Sequence, residues 1–356
     1  MIKDLIKAYG SLAAGCEALG DPFQAALARH AAQALGSGDD LEGLFEPWKD
    51  LTARELMSCL APLVLLGALH DRALADDPPD LAAAYPSRVR PQGDPDAAWR
   101  IGRKLMGERR DWFAAFMSHE PQTNEPRRAA CLLAGFLTIA RETNLPLRTL
   151  EIGASGGLNV NWDAFHYDLG NGRSWGASDA KVRLQCDWSD VPADLTETQL
   201  TVALRAACDR RPVDITDPDE RRRLLAYVWP GQLDRVEQGR AAGEVAAHGG
   251  VKVDEADAAE WIERNGAPVP GVVTVVYHSV FWQYLPEATK TRLKAAIEAY
   301  GESATSDAPF AWLSMEPSTN TNIRDMALTL RLWPGGEPRV LAAVHPHGAW
   351  LRWREG

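Results

Sequence analysis

The chain has 356 residues, 46% hydrophobic and 24% charged, a globular balance with length for two domains or one large elaborated one. Its formal net charge of −11 argues against a broad phosphate-binding surface, so nucleic acid is not the expected partner. Five cysteines, at positions 16, 59, 131, 186 and 208, make no Cys-x-x-Cys pair and no His–Cys ligand spacing; they read as buried apolar thiols in a reducing compartment.

The amino-terminal stretch "MIKDLIKAYGSLAAGCEALG" mixes acids and lysines into a helical period and does not read as a signal peptide. The most apolar run, "LMSCLAPLVLLGAL" at 56–69, is shorter than the ~20 residues that span a bilayer and predicts a buried helix. A cytoplasmic protein without a membrane segment is the expectation. Further apolar residues at three and four spacing occur in "DPFQAALARHAAQALG", "TARELMSCLAPLVLLGALHDRAL", "DAAWRIGRKLMGERRDWFAAFMS" and "EPRRAACLLAGFLTIARET", so residues 1–145 read as a helical domain. The stretch "ADDPPDLAAAYPSRVRPQGDPD" at 75–96 interrupts it as a loop.

From 146 to 356 short strands alternate with helices: "LRTLEI", "GVKV", "GVVTVVYHSV" and "FAWLSME", with "PEATKTRLKAAIEAYG" between the last two. That alternation predicts an α/β domain, a doubly wound, mostly parallel sheet. The final segment, broken by the turns "PGGEP" and "HPHG", predicts antiparallel strands at the end of the sheet.

The chemistry centres on "LEIGASGG", Leu150 to Gly157. As G-x-S-x-G it makes Ser155 a candidate nucleophile, with Asp257 and His278, His345 or His347 downstream in a possible triad order. No strand precedes it to supply an oxyanion-hole amide, and Glu151 sits where such enzymes continue apolar, so the hydrolase is the less favoured reading. As strand, acid and glycine-rich turn, the same stretch opens a cofactor site. Gly153, Gly156 and Gly157 then let the backbone approach a ligand at the start of a helix.

This second reading resembles the class I S-adenosylmethionine-dependent methyltransferase fold, over roughly the last 210 residues, with Ser155 in place of the middle glycine of the first motif. The resemblance implies S-adenosylmethionine as cofactor, its methionine end held by Glu151, Gly153 and Gly157 beside Ser155. It implies an acid on the ribose hydroxyls. Asp168 in "HYDLG" lies at the usual distance, but Asp214 in "RRPVDITDPDE" has the better context, which makes 166–210 an insertion. It further places Asp257 and the amide of Ala258 at the adenine; a helix cap is the alternative for both acids. His278 and Glu316 end their strands at the edge where open α/β sheets bind ligands, so they are the candidate catalytic contacts to a small or medium-sized methyl acceptor.

Gln122, Asn124 and Glu125 in "QTNEPRR" either reach the same crevice or form a helix entry. His345 and His347 read as a turn, and no metal is expected. Most of the tryptophans, among them Trp162, Trp175, Trp188, Trp229 and Trp282, read as core. The stretches "QTNEPRRA", "LEIGASGGLN", "VRLQCDW", "VWPGQLDR", "VVYHSVFWQYLP", "WLSMEP" and "HPHGAWLRW" resemble an uncharacterised bacterial family, domain of unknown function 2332. That resemblance implies no reaction. Ser155 within the glycine turn and the unclear ribose acid motivate a second functional reading, a binding or sensing protein that keeps the fold without turnover, and the oligomeric state is left open.

Overall fold

The computed structural model describes residues 1–38, 40–119, 121–318 and 326–354. Helices come first: α1 (Ile2–Ala18), α2 (Pro22–Gly36), α3 (Ala53–Ser58), α4 (Ala61–Leu74), α5 (Pro79–Ala84), α6 (Pro95–Glu108), α7 (Arg110–Met117) and α8 (Arg128–Thr143). Local chemistry sets their ends. Asp21 accepts a hydrogen bond from the Gln24 amide at 2.8 Å with Pro22 in the first turn, and Thr52 and Glu55 cap α3 reciprocally. Two patterns that read as single helices are each broken. Leu60 takes a left-handed conformation (φ 57°) between α3 and α4, and Arg109 separates α6 from α7. The expected loop at 75–96 contains α5.

The strands follow: β1 (Leu147–Ile152), β2 (His166–Asp168), β3 (Ser174–Trp175), β4 (Arg183–Gln185), β5 (Asp187–Ser189) and β6 (Val202–Asp209). Then come α9 (Pro218–Ala226), α10 (Leu233–His248), β7 (Val253–Glu255), α11 (Ala258–Asn265), β8 (Val273–Ser279), α12 (Glu287–Glu302), β9 (Phe310–Pro317), β10 (Met326–Trp333), β11 (Arg339–Val344) and β12 (Trp350–Trp353). No helix among the described residues is long and apolar enough to cross a membrane.

Contacts divide the chain into two compact units, Met1–Thr123 with Asp217–Glu237, and Asn124–Thr216 with Gln238–Gly356. This differs from a division at 145: α8 belongs with the sheet, and α9 with the amino-terminal helices. In the helical unit, α1, α2 and α4 bury Leu5, Tyr9, Leu27 and Leu65 in one core that also takes in Tyr227 after α9. His70 of α4 is buried there, with Nδ1 3.2 Å from the Ala226 carbonyl and its ring stacked on Tyr85.

The second unit is a mixed α/β fold around a nine-stranded sheet, ordered β7-β6-β1-β8-β9-β10-β11-β12-β5. The run from β7 to β9 is parallel, β10, β11 and β12 extend it antiparallel, and β5 joins β12 in parallel. A separate small sheet pairs β3, β2 and β4. The expected insertion at 166–210 is thus too long, because Val202–Asp209 is β6, the direct neighbour of β1. Alternation along β1 and β8 assigns the two faces. Leu150, Ile152 and Val276 pack with Trp261, Ile262, Leu293 and Ile297 of α11 and α12, whereas Tyr277 meets Phe136 of α8 on the other side. From β1 the chain moves outward to β6 and β7, then crosses back to β8 on the opposite flank. The sheet therefore reverses its winding between β1 and β8.

Candidate functional site

Beyond two strand ends at that reversal, those of β1 and β8, the chain bends into left-handed backbone. Gly153 and Gly157 have φ of 71°, Ser155 has 53° and Val280, just beyond β8, has 53°. Glycine adopts this region freely, but a β-branched valine there is strained, and such strain persists only where the surroundings fix it.

The turn after β1 is held mostly by its own unit. Gly153 and Ala154 donate their amides to the Cys208 carbonyl at 2.9 and 3.1 Å, and Gly157 donates to Ala154 at 2.7 Å. The Ser155 amide donates to Asp209 Oδ2 at 2.9 Å, and the Arg211 amide donates to Asp209 Oδ1 at 2.9 Å. Asn124 clamps the turn from the other side: its Nδ2 donates to the Ala154 carbonyl at 2.8 Å and its Oδ1 accepts from the Leu158 amide at 2.9 Å. The turn does not open an α-helix; residues 155–161 continue as turns into the short 3₁₀ helix Trp162–Ala164. Amides expected to be free for a ligand are therefore largely committed within the protein.

Asp209, which ends β6 beside this turn, is not among the acids singled out from the sequence. Asp214 is exposed, accepting from the Thr216 amide at 3.0 Å and hydroxyl at 2.6 Å in a local turn. Its expected place at the end of β1's neighbouring strand belongs to Asp209. Asp168 ends β2 in the small sheet, apart from the β1 turn's own hydrogen bonds. Asp257 caps α11, accepting from the amides of Ala259 at 2.9 Å and Glu260 at 3.2 Å, with Ala258 buried as the first helical residue.

Glu151 is sealed beneath the turn at 3% exposure, where its Oε2 accepts the Tyr277 hydroxyl at 3.1 Å. Burial pushes its carboxyl up to about 8; Asp209 adds to the rise, while Tyr277 and Arg128 oppose it. At neutral pH it is an uncharged acid inside the fold. Gly153 also lacks an open face, since a Cβ there would run into the Phe281 ring.

The structure joins the two catalytic candidates. His278, 1% exposed, places Nδ1 2.7 Å from Glu316 Oε1, and Trp312 donates its indole N–H to His278 Nε2 at 3.0 Å. The indole can only donate, so Nε2 is the acceptor and Nδ1 carries the proton given to Glu316. Glu316 Oε1 also accepts from the amides of Phe281 at 2.9 Å and Trp282 at 3.2 Å. Burial acts to raise the Glu316 carboxyl, but His278 and the two amides outweigh it and hold it below the usual carboxylate range. Both imidazole nitrogens of His278 are thus engaged by protein partners, Glu316 and Trp312. The left-handed Ser155 shares one feature with a nucleophile elbow, yet its turn leads into no helix and its amide is spent on Asp209.

Elsewhere, the His347 amide donates to His345 Nδ1 at 3.0 Å within a turn. Glu125 is buried, its Oε1 accepting from the Arg127 amide at 3.2 Å. Trp162 and Trp188 are core residues, Trp162 stacked on Phe136 at 4.0 Å. The helical unit has a cavity of about 400 Å³ whose walls include Asp71, Arg72, Trp112 and Arg222. There Asp71 accepts from both arginines and Arg72 lies over the Trp112 ring, so the acids and bases of the wall largely satisfy one another.

The family described as "Uncharacterized protein conserved in bacteria (DUF2332)" matches residues 7–353. The chain belongs to this family. Both the glycine turn and the Trp312–His278–Glu316 chain lie within the matched DUF2332 region. No curated protein and no solved structure matches the chain.

Proposed function

We propose that the sheet unit binds an adenosyl compound at the carboxyl ends of β6, β1 and β8, and that the protein is an S-adenosylmethionine-dependent methyltransferase for a small or medium-sized acceptor. One observation carries the reading. The parallel sheet reverses its winding between β1 and β8, and at that edge stand the left-handed Gly153–Gly157 turn and the Asp209 carboxylate. Open α/β sheets bind ligands in the crevice at such a reversal. In this reading Asp209 takes the ribose role first given to Asp214, since each of its oxygens has a further lone pair beyond the amide it accepts. Asp257 and Ala258 border the adenine, and Glu316 faces the acceptor.

The sulfonium of S-adenosylmethionine supplies an already activated methyl group. The residues of the site would align the acceptor and keep water out. Glu151 supports the turn from inside and touches no ligand. Titration calorimetry with S-adenosylmethionine and its demethylated product tests the reading. Heat that disappears in Asp209→Ala and survives in Asp214→Ala supports it, and absence of heat at millimolar ligand ends it.

A second reading, an adenosyl-binding or sensing protein without turnover, is favoured by the closed imidazole of His278 and the internally satisfied amides of the turn. A bound adenosyl compound with no methyl transfer across an acceptor panel, followed by mass spectrometry, selects it over the enzyme.

A further inference from the structure

The two oxygens of Glu316 are treated very differently. Oε1 takes three donors, His278 Nδ1–H and the amides of Phe281 and Trp282, whereas Oε2 is shielded from solvent and accepts from none among the described residues. The donors on Oε1 are fixed: the Trp312 indole sets the His278 tautomer, and the strained Val280 turn aims the two amides. Among the described residues no lysine or arginine pairs with Glu316, and His278 spends its Nε2 lone pair on the Trp312 indole N–H. A shielded carboxylate oxygen left without a donor is destabilising, more so when charged. The surroundings are aromatic: Trp282 stacks on His278 at 5.7 Å between centroids and lies 5.5 Å from Trp312. Aromatic ring faces attract cations, most strongly where water is excluded.

We propose that Glu316 Oε2 and the Trp282 and Trp312 rings form a receptor for a cationic nitrogen bearing at least one N–H, so that the ligand at this edge is an amine. The nitrogen supplies both what Oε2 lacks, a donor, and what the cluster lacks, a positive charge. Trp312 and His278 are positioning residues that hold the carboxylate still. This deepens the methyl-acceptor reading and rests on it for what happens to the amine, but the receptor is tested without any adenosyl compound, so the two stand or fall separately.

The test uses the full chain and three probes, benzylammonium, its neutral analogue benzyl alcohol, and benzyltrimethylammonium, which is charged but has no N–H. Tryptophan fluorescence and thermal shift are the readouts. Benzylammonium is expected to saturate, and each of the others to bind at least about tenfold more weakly, the cost of one charge-assisted hydrogen bond or one paired charge. Glu316→Gln is expected to bring benzylammonium down to the level of the alcohol. Equal binding of all three probes by the wild-type protein overturns the proposal, even if the variant fails to fold. So does the absence of a saturable response to benzylammonium, or an undiminished response in a folded Glu316→Gln protein.

Discussion

Glu151→Gln isolates the electrostatics beneath the glycine turn. In the unfolded chain Glu151 loses its proton near 4.5, and in the folded protein it keeps the proton until about pH 8 because burial disfavours the charged form. Between those values the folded state holds one proton more than the unfolded one, so rising pH favours unfolding by roughly 1.4 kcal/mol per pH unit. Over pH 5 to 8 the contribution sums to about 4 kcal/mol of lost stability, an order-of-magnitude figure for so buried a group. Glutamine fills the same space and its carbonyl accepts the Tyr277 hydroxyl, but it has no proton to lose. The substitution removes the Glu151 titration from that range, so the stability difference between variant and wild type should grow across it and flatten above pH 8. Urea unfolding followed by tryptophan fluorescence at pH 5, 6, 7 and 8 measures it. Two parallel stability curves would refute the assignment of Glu151 as a buried neutral acid.

Gly153→Ala places a Cβ against the Phe281 ring at a left-handed backbone position and should cost about 2 kcal/mol or more in thermal unfolding; pairing it with Phe281→Ala should recover part of that loss. Asn124→Ala removes both hydrogen bonds that clamp the turn and is expected to destabilise by about 2 kcal/mol, with faster amide exchange at Leu158. Burial lowers His70 to about 4, so the protein should lose roughly 3 kcal/mol between pH 6.5 and pH 4 as the unfolded state takes up the proton first; His70→Gln should show a shallower acid limb in the same unfolding assay. The full chain should not react with a fluorophosphonate probe, since the His278 imidazole is committed to Glu316 and Trp312; stoichiometric labelling at Ser155 would restore the hydrolase reading.

What the sequence made legible was chemistry confined to one segment. The β1 turn could be read from an apolar strand, an acid and clustered glycines, because its left-handed residues are local requirements. β6 could not be read, because its first half is exposed, with Leu204 at 48%, and arginine and alanines interrupt the apolar run until Ala207 and Cys208 enter the core. Asp209 acquires meaning only from the pairing of Cys208 with Ile152 across the sheet. The fate of Glu151 was hidden for the same reason: nothing within its own strand announces that Tyr277 of β8 will cover it.

The pairing of His278 with Glu316 shows where local and non-local information meet. In β9 the period of two puts Trp312, Ser314 and Glu316 on one face, and this much is written in "WLSME". The parallel register then sets His278 opposite Ser314, one step from an indole donor on one side and a carboxylate acceptor on the other. Each imidazole nitrogen therefore meets the partner its neutral tautomer needs. A register shifted by one residue would turn this face away from His278 and leave a buried imidazole unsatisfied. Strand-end position alone singles out both residues, but it cannot say whether they face a ligand or each other. The register decides that His278 faces protein on both sides, and it leaves Glu316 Oε2 as the oxygen of the pair without a donor among the described residues.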